Sequence, residues 1–185
     1  MTKRFFLGIT GASGAVYGYE ILKALSREGE VYLAVSDGGW KMLKEEVGVG
    51  RAELERYARA VYENSEMDSP LSSGSFRLSG SVIAPSTIST ASKVAHGIQD
   101  NLITRAASVA LKERWPLIIL LRETPLSTVA LRSLLYLSEA GAVVMPASPG
   151  FYHSPKEISD LVLFMVDRVL NHLSLPGVLK PYGEG

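Results

Sequence analysis

The chain has 185 residues, with 19 basic and 19 acidic side chains, three histidines and no cysteine. The balanced charge gives no electrostatic reason to expect nucleic acid or an acidic membrane surface as a partner. Without cysteine there is no disulfide, thiolate nucleophile or thiolate metal ligand, and the histidines show no metal-ligand spacing, so no metal is expected.

The length of the chain predicts one domain over residues 1–185. The longest uninterrupted apolar run, residues 117–121, is too short to cross a bilayer. The N-terminus leads directly into a predicted strand, which leaves no place for a signal peptide. We therefore expect a cytoplasmic protein that does not associate with membranes.

A strand, a glycine-rich turn and a helix are predicted at the start of the chain. Residues 5–9 are a short apolar run, residues 10–14 are small, and apolar positions then recur at helical spacing. The free amide groups of such a turn and the dipole of the helix favour an anion. Gly11 and Gly14 permit close approach of a phosphate, and Ser13 offers a hydroxyl. The alternative is a turn that only connects strand to helix.

The rest of the chain alternates between strands and helices. Four further strands are predicted at residues 31–35, 82–84, 117–121 and 142–145. Helices are predicted at residues 39–46, 51–62, from the Ser/Thr run at 86–90 to about 96, at 102–114, at 125–139 and from 154 onward. Residues 64–80 lack periodicity and indicate a long loop. The alternation predicts a doubly wound α/β fold with a mostly parallel sheet and helices on both faces, Rossmann-like or flavodoxin-like.

A set of mostly polar or small residues follows the predicted strands. An open parallel sheet binds its ligands there, beyond the carboxyl ends of the strands. The residues are Gly11, Ala12, Ser13, Ser36, residues 87–90, Arg122, Glu123, Phe151 and Tyr152. Hydroxyl groups and a planar guanidinium suit a phosphate or a flat heteroaromatic ring. Any one residue could be a helix cap or turn residue, as we expect for Ser86 and Thr124. Their coincidence at the ends of several strands indicates a site.

Arg168 is a separate feature, because it lies on the last predicted helix beside Leu161, at the border of the apolar stripe. A charged side chain at such a border either extends to water along the apolar surface or contacts a buried anion. The sequence leaves both alternatives open.

Five stretches carry a more specific signal than the glycine turn alone. They are Gly-Ala-Ser-Gly at 11–14, Asn-Leu-Ile-Thr-Arg-Ala-Ala at 101–107, Leu-Lys-Glu-Arg-Trp-Pro-Leu at 111–117, Arg-Glu-Thr-Pro at 122–125 and Phe-Tyr-His at 151–153. With these stretches in this order, the chain resembles the UbiX family of flavin prenyltransferases over nearly its whole length. The resemblance implies a metal-independent enzyme that joins a dimethylallyl group from dimethylallyl phosphate to N5 and C6 of reduced FMN and releases phosphate. It also implies a large homo-oligomer and a partner decarboxylase that uses the prenylated FMN.

The resemblance also implies roles for individual residues. FMN would be held by Gly11, Ala12, Ser13, Ser36, Thr87, Ile88, Ser89, Thr90 and Arg122. The phosphate of dimethylallyl phosphate would be held by Arg105, Lys112, Tyr152 and Arg168, and Tyr182 would lie over the prenyl chain. Glu46 and Glu123 would be the acid–base carboxylates, and Lys112 would also be catalytic.

The residue types suit this chemistry, with two departures from the family pattern. Fixed arginine and lysine donors stabilise the charge that grows on a leaving phosphate, and N5 of the reduced flavin is the nucleophile, so no protein nucleophile is required. Ser86-Thr87 stands where relatives often have Cys-Ser, and a hydroxyl remains. Ser89 stands where glycine is common, which affects the backbone contacts expected of that loop.

Three other functions stay open at this point. An NADP-dependent short-chain reductase has a similar opening turn and a Tyr-x-x-x-Lys pair, here Tyr152 and Lys156. That pair must share one continuous helix, but the predicted helix starts after Tyr152, so we interpret the spacing as accidental. An FMN-dependent decarboxylase of the same fold would use a cysteine, which this chain lacks. A non-catalytic FMN-binding protein would need residues 11–13 and Arg122, but not Lys112, Tyr152 or Arg168.

Overall fold

The computed structural model describes residues 2–179, so the predicted prenyl contact Tyr182 lies outside the described residues. The strands are β1 (Arg4–Ile9), β2 (Glu30–Val35), β3 (Ala60–Glu63), β4 (Gly80–Ser86), β5 (Leu117–Leu121) and β6 (Val143–Pro146). The helices are α1 (Ala15–Ser26), α2 (Asp37–Met42), α3 (Arg51–Leu54), α4 (Ile88–Ala95), α5 (Leu102–Lys112), α6 (Thr128–Glu139) and α7 (Ile158–His172). A π-helical turn, Leu43–Val47, continues α2, and a 3₁₀ turn, Pro70–Ser72, lies in the segment before β4.

The six strands form one sheet in the order β3-β2-β1-β4-β5-β6, and every neighbouring pair is parallel. This is the order of the Rossmann fold, in which the direction of winding reverses beside β1. The doubly wound α/β fold predicted from the sequence is therefore confirmed.

Each face of the sheet carries its own apolar core. Along β1, Phe5, Leu7 and Ile9 belong to one cluster and Phe6 to the other, as expected for side chains that alternate across a strand. The first cluster includes the buried faces of α1 and α7, and the second those of α4, α5 and α6. Helices on both faces explain why the strands are continuous apolar runs.

The prediction of a helix over residues 51–62 was wrong in its second half. The helix ends at Leu54, and Ala60–Glu63 forms β3, which pairs with β2 through Tyr32↔Ala60 and Leu33↔Val61. The sheet therefore has six strands where the sequence predicted five. A four-residue edge strand is too short to show its own periodicity, and hydrogen bonding to β2 determines its conformation.

Two predicted helix starts were also wrong. The α6 helix begins at Thr128, where the Ser127 hydroxyl accepts a hydrogen bond from Ala130 N at 3.2 Å, and not at Pro125. The α7 helix begins at Ile158, not at Ser154, which has a φ of 54° and cannot enter a right-handed helix. The capping box of α7 is formed by Glu157 and Asp160, three residues after the predicted one, and the Asp160 carboxylate accepts from Lys156 N and Glu157 N. Among residues 2–179 no helix is both long and apolar enough to cross a membrane.

The hydroxyl of Thr10 joins β1 to the end of β4. It donates to the carbonyl of Pro85 at 2.8 Å and accepts from Thr87 N at 2.9 Å, and Thr10 is 2% exposed. If the hydroxyl is removed, Thr87 N loses its acceptor, and the Pro85 carbonyl keeps only the donation from the backbone N–H of Thr10 at 3.2 Å. This link fixes the start of α4 next to the turn that follows β1.

We predict that Thr10→Val lowers the free energy of unfolding by about 1–3 kcal/mol, because the substitution removes two hydrogen bonds and leaves the N–H group of Thr87 without its acceptor. Thr10→Ser is the matched control, since it keeps the hydroxyl and removes only a methyl group. The melting temperature should fall by several degrees in Thr10→Val and much less in Thr10→Ser. Equal melting temperatures in the two variants would show that the hydrogen bonds of the Thr10 hydroxyl do not stabilise the protein.

Candidate functional site

The turns after β1 and β2 contact each other through their backbones. A Cβ atom at Gly38 would lie 2.9 Å from the Cα of Gly11, so neither position accepts a side chain without movement. Ser36 caps α2 by accepting from Gly39 N at 3.1 Å. The starts of α1 and α2 therefore lie side by side beyond the carboxyl ends of β1 and β2, where the sequence predicted Gly11, Ala12, Ser13 and Ser36 to meet.

The start of α4 lies on the other side of the β1 turn, held there by Thr10. Thr87 caps α4: its hydroxyl oxygen accepts from Thr90 N at 3.1 Å, and the two hydroxyl groups are 3.0 Å apart. Ile88 is half-buried and Ser89 is exposed. Thr87, Ile88, Ser89 and Thr90 thus present hydroxyl and amide groups at the strand-order reversal between β1 and β4.

Glu46 extends from the π-helical turn to the start of α1. Its Oε2 accepts from Gly14 N at 2.7 Å and from Ala15 N at 2.8 Å. These are the amide donors that the sequence predicted would hold a phosphate. In this protein a carboxylate of the chain itself binds at the positive end of the helix.

The environment of Glu46 keeps its carboxyl group ionised. Partial burial raises the pKa of Glu46. This effect is outweighed by hydrogen bonds from the Ser13 hydroxyl and the amides of Ala15 and Gly14, together with the charge of Arg122, which lower the pKa. The pKa of Glu46 therefore lies below its ordinary value of 4.5. A carboxylate held in this way is a poor proton donor near neutral pH.

Arg122 follows β5 and contributes the cation of this site. Its backbone N–H donates to the carbonyl of Ser86 at 3.2 Å, which fixes the start of the side chain beside β4. The Nε atom is removed from solvent and has no hydrogen-bond partner among residues 2–179. A buried guanidinium nitrogen without an acceptor is costly, so the site is suited to a ligand with acceptor atoms.

Glu123 follows Arg122 in the chain and is exposed. It lines a cavity of about 290 Å³ with Ile88, Ser89, Pro125 and residues at the start of α6. Its Oε1 accepts only from the adjacent Thr124 N, at 3.1 Å, among the hydrogen bonds of the described chain. Glu123 thus has free acceptor capacity facing a cavity, whereas Glu46 is engaged by several donors.

Arg105 and Lys112, both on α5, lie apart from these residues. Arg105 Nε donates to the carbonyl of Ser72 at 3.0 Å, and its Nη1 donates to Gln99. Lys112 pairs with Glu113 at the end of α5, shortly before β5 begins, and therefore lies toward the amino ends of the strands. The protomer does not bring these two cations to the Gly11 turn.

Tyr152 and Arg168 lie on the opposite side of the sheet from α5. Tyr152 is exposed and packs edge-on against Phe164 of α7 at 5.7 Å between ring centroids. Arg168, one helical turn after Phe164, is exposed and has no hydrogen-bond or ion-pair partner within the described ranges. Tyr152 precedes α7, which begins at Ile158, so Tyr152 and Lys156 do not form the helical pair of a short-chain reductase.

Sequence reasoning missed two residues that shape the site. Thr10 was placed in the turn without a role, although its hydroxyl joins β1 to α4. Gly38 was not identified, although the Gly38-Gly39 pair just after a predicted strand signals a close backbone approach.

Among residues 2–179 no group of three or more His, Asp or Glu side chains could hold a metal ion.

We predict that Glu46→Gln destabilises the protein at neutral pH, by about 0.5–1 kcal/mol given the exposure and screening of the group. The pKa of Glu46 is lowered by folding, so its stabilising effect is present above the unfolded value and is lost as pH falls through the folded value. The difference in melting temperature between wild type and variant should therefore narrow below pH 4.5. Glu45→Gln is the control. If the difference in melting temperature between wild type and Glu46→Gln did not depend on pH, the ionised Glu46 carboxylate would not be what stabilises the start of α1.

Comparisons with known proteins show which family the chain belongs to. The Flavoprotein family matches residues 1–170. The flavin prenyltransferase UbiX of Thermoplasma acidophilum is 46% identical over 168 residues, covering 91% of this chain and 93% of the relative. The flavin prenyltransferase UbiX of Escherichia coli K12 is 39% identical, and the match covers 94% of this chain and 93% of the relative.

Solved structures show the same similarity. The crystal structure of AnUbiX in complex with FMN and dimethylallyl pyrophosphate superposes with a TM-score of 0.92 at 37% identity, covering 95% of this chain and 94% of that one. A dodecameric FMN-dependent UbiX-like decarboxylase from Escherichia coli O157:H7 also superposes with a TM-score of 0.92, at 32% identity. The superposition covers 96% of this chain and 98% of that one. The family match and these relatives, with the shared fold, show that the chain belongs to the UbiX family of flavin prenyltransferases.

Proposed function

We propose that this chain, as one domain over residues 1–185, transfers a dimethylallyl group from dimethylallyl phosphate to N5 and C6 of reduced FMN. Phosphate is released, and the prenylated FMN passes to a partner decarboxylase. The observation that carries the proposal is the buried, unpartnered Nε of Arg122 beside the β1 turn, in a chain whose relatives are flavin prenyltransferases. When bound, reduced FMN supplies the nucleophilic N5.

The residues beside Arg122 fit FMN. The guanidinium Nε needs an acceptor, and a flavin offers carbonyl, ring nitrogen and phosphate acceptors. The backbone contact between Gly11 and Gly38 leaves a surface without side chains, against which a flat ring can lie. Ser13, Ser36 and the hydroxyl groups at the start of α4 surround that surface.

The start of α4 is the better place for the phosphate of FMN. At the start of α1, the amides of Gly14 and Ala15 already donate to Glu46, and a second anion there would be repelled. At the start of α4, Thr87 N and Thr90 N donate to hydroxyl groups and no carboxylate caps the helix. The amides of Ile88 and Ser89 take part in none of the hydrogen bonds of the described chain and lie next to the Thr87 and Thr90 hydroxyl groups. We therefore assign the FMN phosphate to residues 87–90.

The two carboxylates have different roles in this proposal. Glu46 remains ionised and holds the β1 turn in position through Gly14 and Ala15. Glu123 faces a cavity with free acceptor capacity, so it is the group placed to accept or return a proton during transfer. The sequence alone left open which carboxylate moves the proton.

The cations that stabilise the leaving phosphate cannot come from one copy of the chain. Arg105 and Lys112 lie on α5, which packs on one face of the sheet, and Arg168 lies on α7, on the other face. If all three bind one phosphate, α5 of one protomer must approach α7 of another. The proposed reaction therefore requires a homo-oligomer.

Helix α6 offers an apolar surface for such an assembly. Val129, Leu131, Leu135 and Tyr136 are between 48% and 73% exposed, which is unusual for four large apolar side chains on one helix. Val129 also lines the cavity next to Glu123, so the flank of α6 that carries Val129 and Tyr136 borders the candidate site, while Leu131 and Leu135 lie on the other flank. We propose that a second copy of the chain covers it, in line with the dodecameric assembly named for the Escherichia coli O157:H7 relative.

The experiment that tests the function is incubation of the purified protein with reduced FMN and dimethylallyl phosphate in the presence of EDTA. The flavin released by denaturation is examined by mass spectrometry and absorption. The proposal expects FMN enlarged by one isoprene unit and turnover that survives chelation. Unchanged FMN would favour a non-catalytic flavin-binding protein, and binding of NADPH without FMN would favour a reductase.

We predict that Arg168→Ala lowers kcat/KM for dimethylallyl phosphate about ten- to a hundredfold, since one charged hydrogen-bond partner typically contributes about 1.5–3 kcal/mol. Arg168→Lys should recover only part of the loss, because an ammonium does not reproduce the planar guanidinium. FMN affinity should stay unchanged in both. Arg77→Ala, at an exposed arginine with no proposed role, is the control; wild-type kinetics in Arg168→Ala would remove Arg168 from the site.

Mixed oligomers test whether two copies share the phosphate site. Lys112→Ala and Arg168→Ala should each be nearly inactive alone. Oligomers assembled from both variants should regain part of the activity, because some sites then combine an intact α5 with an intact α7. Mixed oligomers as inactive as either parent would show that both residues act within one protomer.

A further inference from the structure

His153 belongs to the Phe-Tyr-His stretch, but no step of the proposed reaction uses it. Its ring lies parallel to that of Phe164, with 9° between the planes and 5.3 Å between centroids. Both ring nitrogens, Nδ1 and Nε2, are removed from solvent and have no hydrogen-bond partner in the described chain. His153 therefore interacts with the described chain through its ring contacts and through the charge that it places near the Asp160 carboxylate, without a hydrogen bond.

His153 and Phe164 together form a corner for the ring of Tyr152. Tyr152 meets His153 edge-on at 5.9 Å and Phe164 edge-on at 5.7 Å, which is the geometry that aromatic pairs prefer. Phe164 and Arg168 are four residues apart on α7 and so lie on the same side of that helix. The aromatic corner therefore places Tyr152 one helical turn from Arg168.

Gly150 makes room for this arrangement. A Cβ atom at residue 150 would lie 2.8 Å from Cε1 of Tyr152 and 3.1 Å from Cζ of Phe164. Contacts this short would push the tyrosine ring out of the corner. The chain therefore passes Phe164 without a side chain at residue 150, where one would displace Tyr152.

We propose that His153 is a positioning residue: stacked on Phe164, it orients Tyr152 beside Arg168 to receive the phosphate of the allyl substrate. The inference rests on the proposed function, in which Tyr152 and Arg168 bind that phosphate. It assigns the contribution of His153 to the face of its ring and none to its nitrogens. Phenylalanine can supply the same face, and it removes two buried polar atoms that lack partners.

The test measures binding of dimethylallyl phosphate by calorimetry to protein loaded with oxidised FMN, which does not turn over. His153→Phe should bind within about twofold of wild type, and His153→Ala about tenfold more weakly, since the supporting ring is lost. FMN affinity should be the same in all three proteins. The melting temperature of His153→Phe should equal or exceed that of wild type.

A second variant tests the corner without touching His153. Gly150→Ala should weaken dimethylallyl phosphate binding about tenfold and leave FMN affinity unchanged. This variant replaces His153→Ala in the test if His153→Ala fails to fold. Loss of binding in His153→Phe equal to that in His153→Ala would show that the nitrogens are required and would overturn the inference. Wild-type binding in His153→Ala or in Gly150→Ala would overturn it as well. If the wild type itself does not bind the allyl phosphate, the proposed function fails, and the inference fails with it.

Discussion

The reversal of strand order beside β1 determines where the candidate site can form. The chain leaves β1 toward β2 on one side and returns as β4 on the other, so the loops at their carboxyl ends separate and leave a crevice. The buried hydroxyl of Thr10 keeps that crevice narrow by joining β1 to the last residues of β4. The starts of α1, α2 and α4, and Arg122 after β5, consequently meet around one point.

The same two-faced architecture limits what one protomer can do alone. Helices α5 and α7 pack on opposite faces, so the cations they carry are separated by the sheet. An enzyme that needs all of them around one phosphate must therefore assemble copies, and the exposed apolar side of α6 is a surface on which a copy can bind. In this proposal assembly contributes to catalysis as well as to stability.

The sequence predicted features that depend on neighbouring residues and missed those that depend on distant ones. The strand and glycine turn from Phe5 to Gly14 were predictable because their pattern is local. Strand β3 was not, because residues 60–63 adopt an extended form only by pairing with β2. The contact of Glu46 with Gly14 spans 32 positions, and no local pattern indicates it. The separation of the cations of α5 from Arg168 likewise follows from topology and not from residue type.

The placement of Glu46 separates the two phosphates that the proposed reaction must handle. One phosphate belongs to FMN and keeps its charge throughout, so neutral hydroxyl and amide donors at the start of α4 are sufficient for it. The other leaves the allyl carbon and gains charge as the bond breaks, and full positive charges stabilise it more as the reaction proceeds. Glu46 excludes both from the start of α1, because its carboxylate already binds those amides. The negative Glu46 and the positive Arg122 leave the β1 turn close to neutral, which suits a flat ring better than either phosphate.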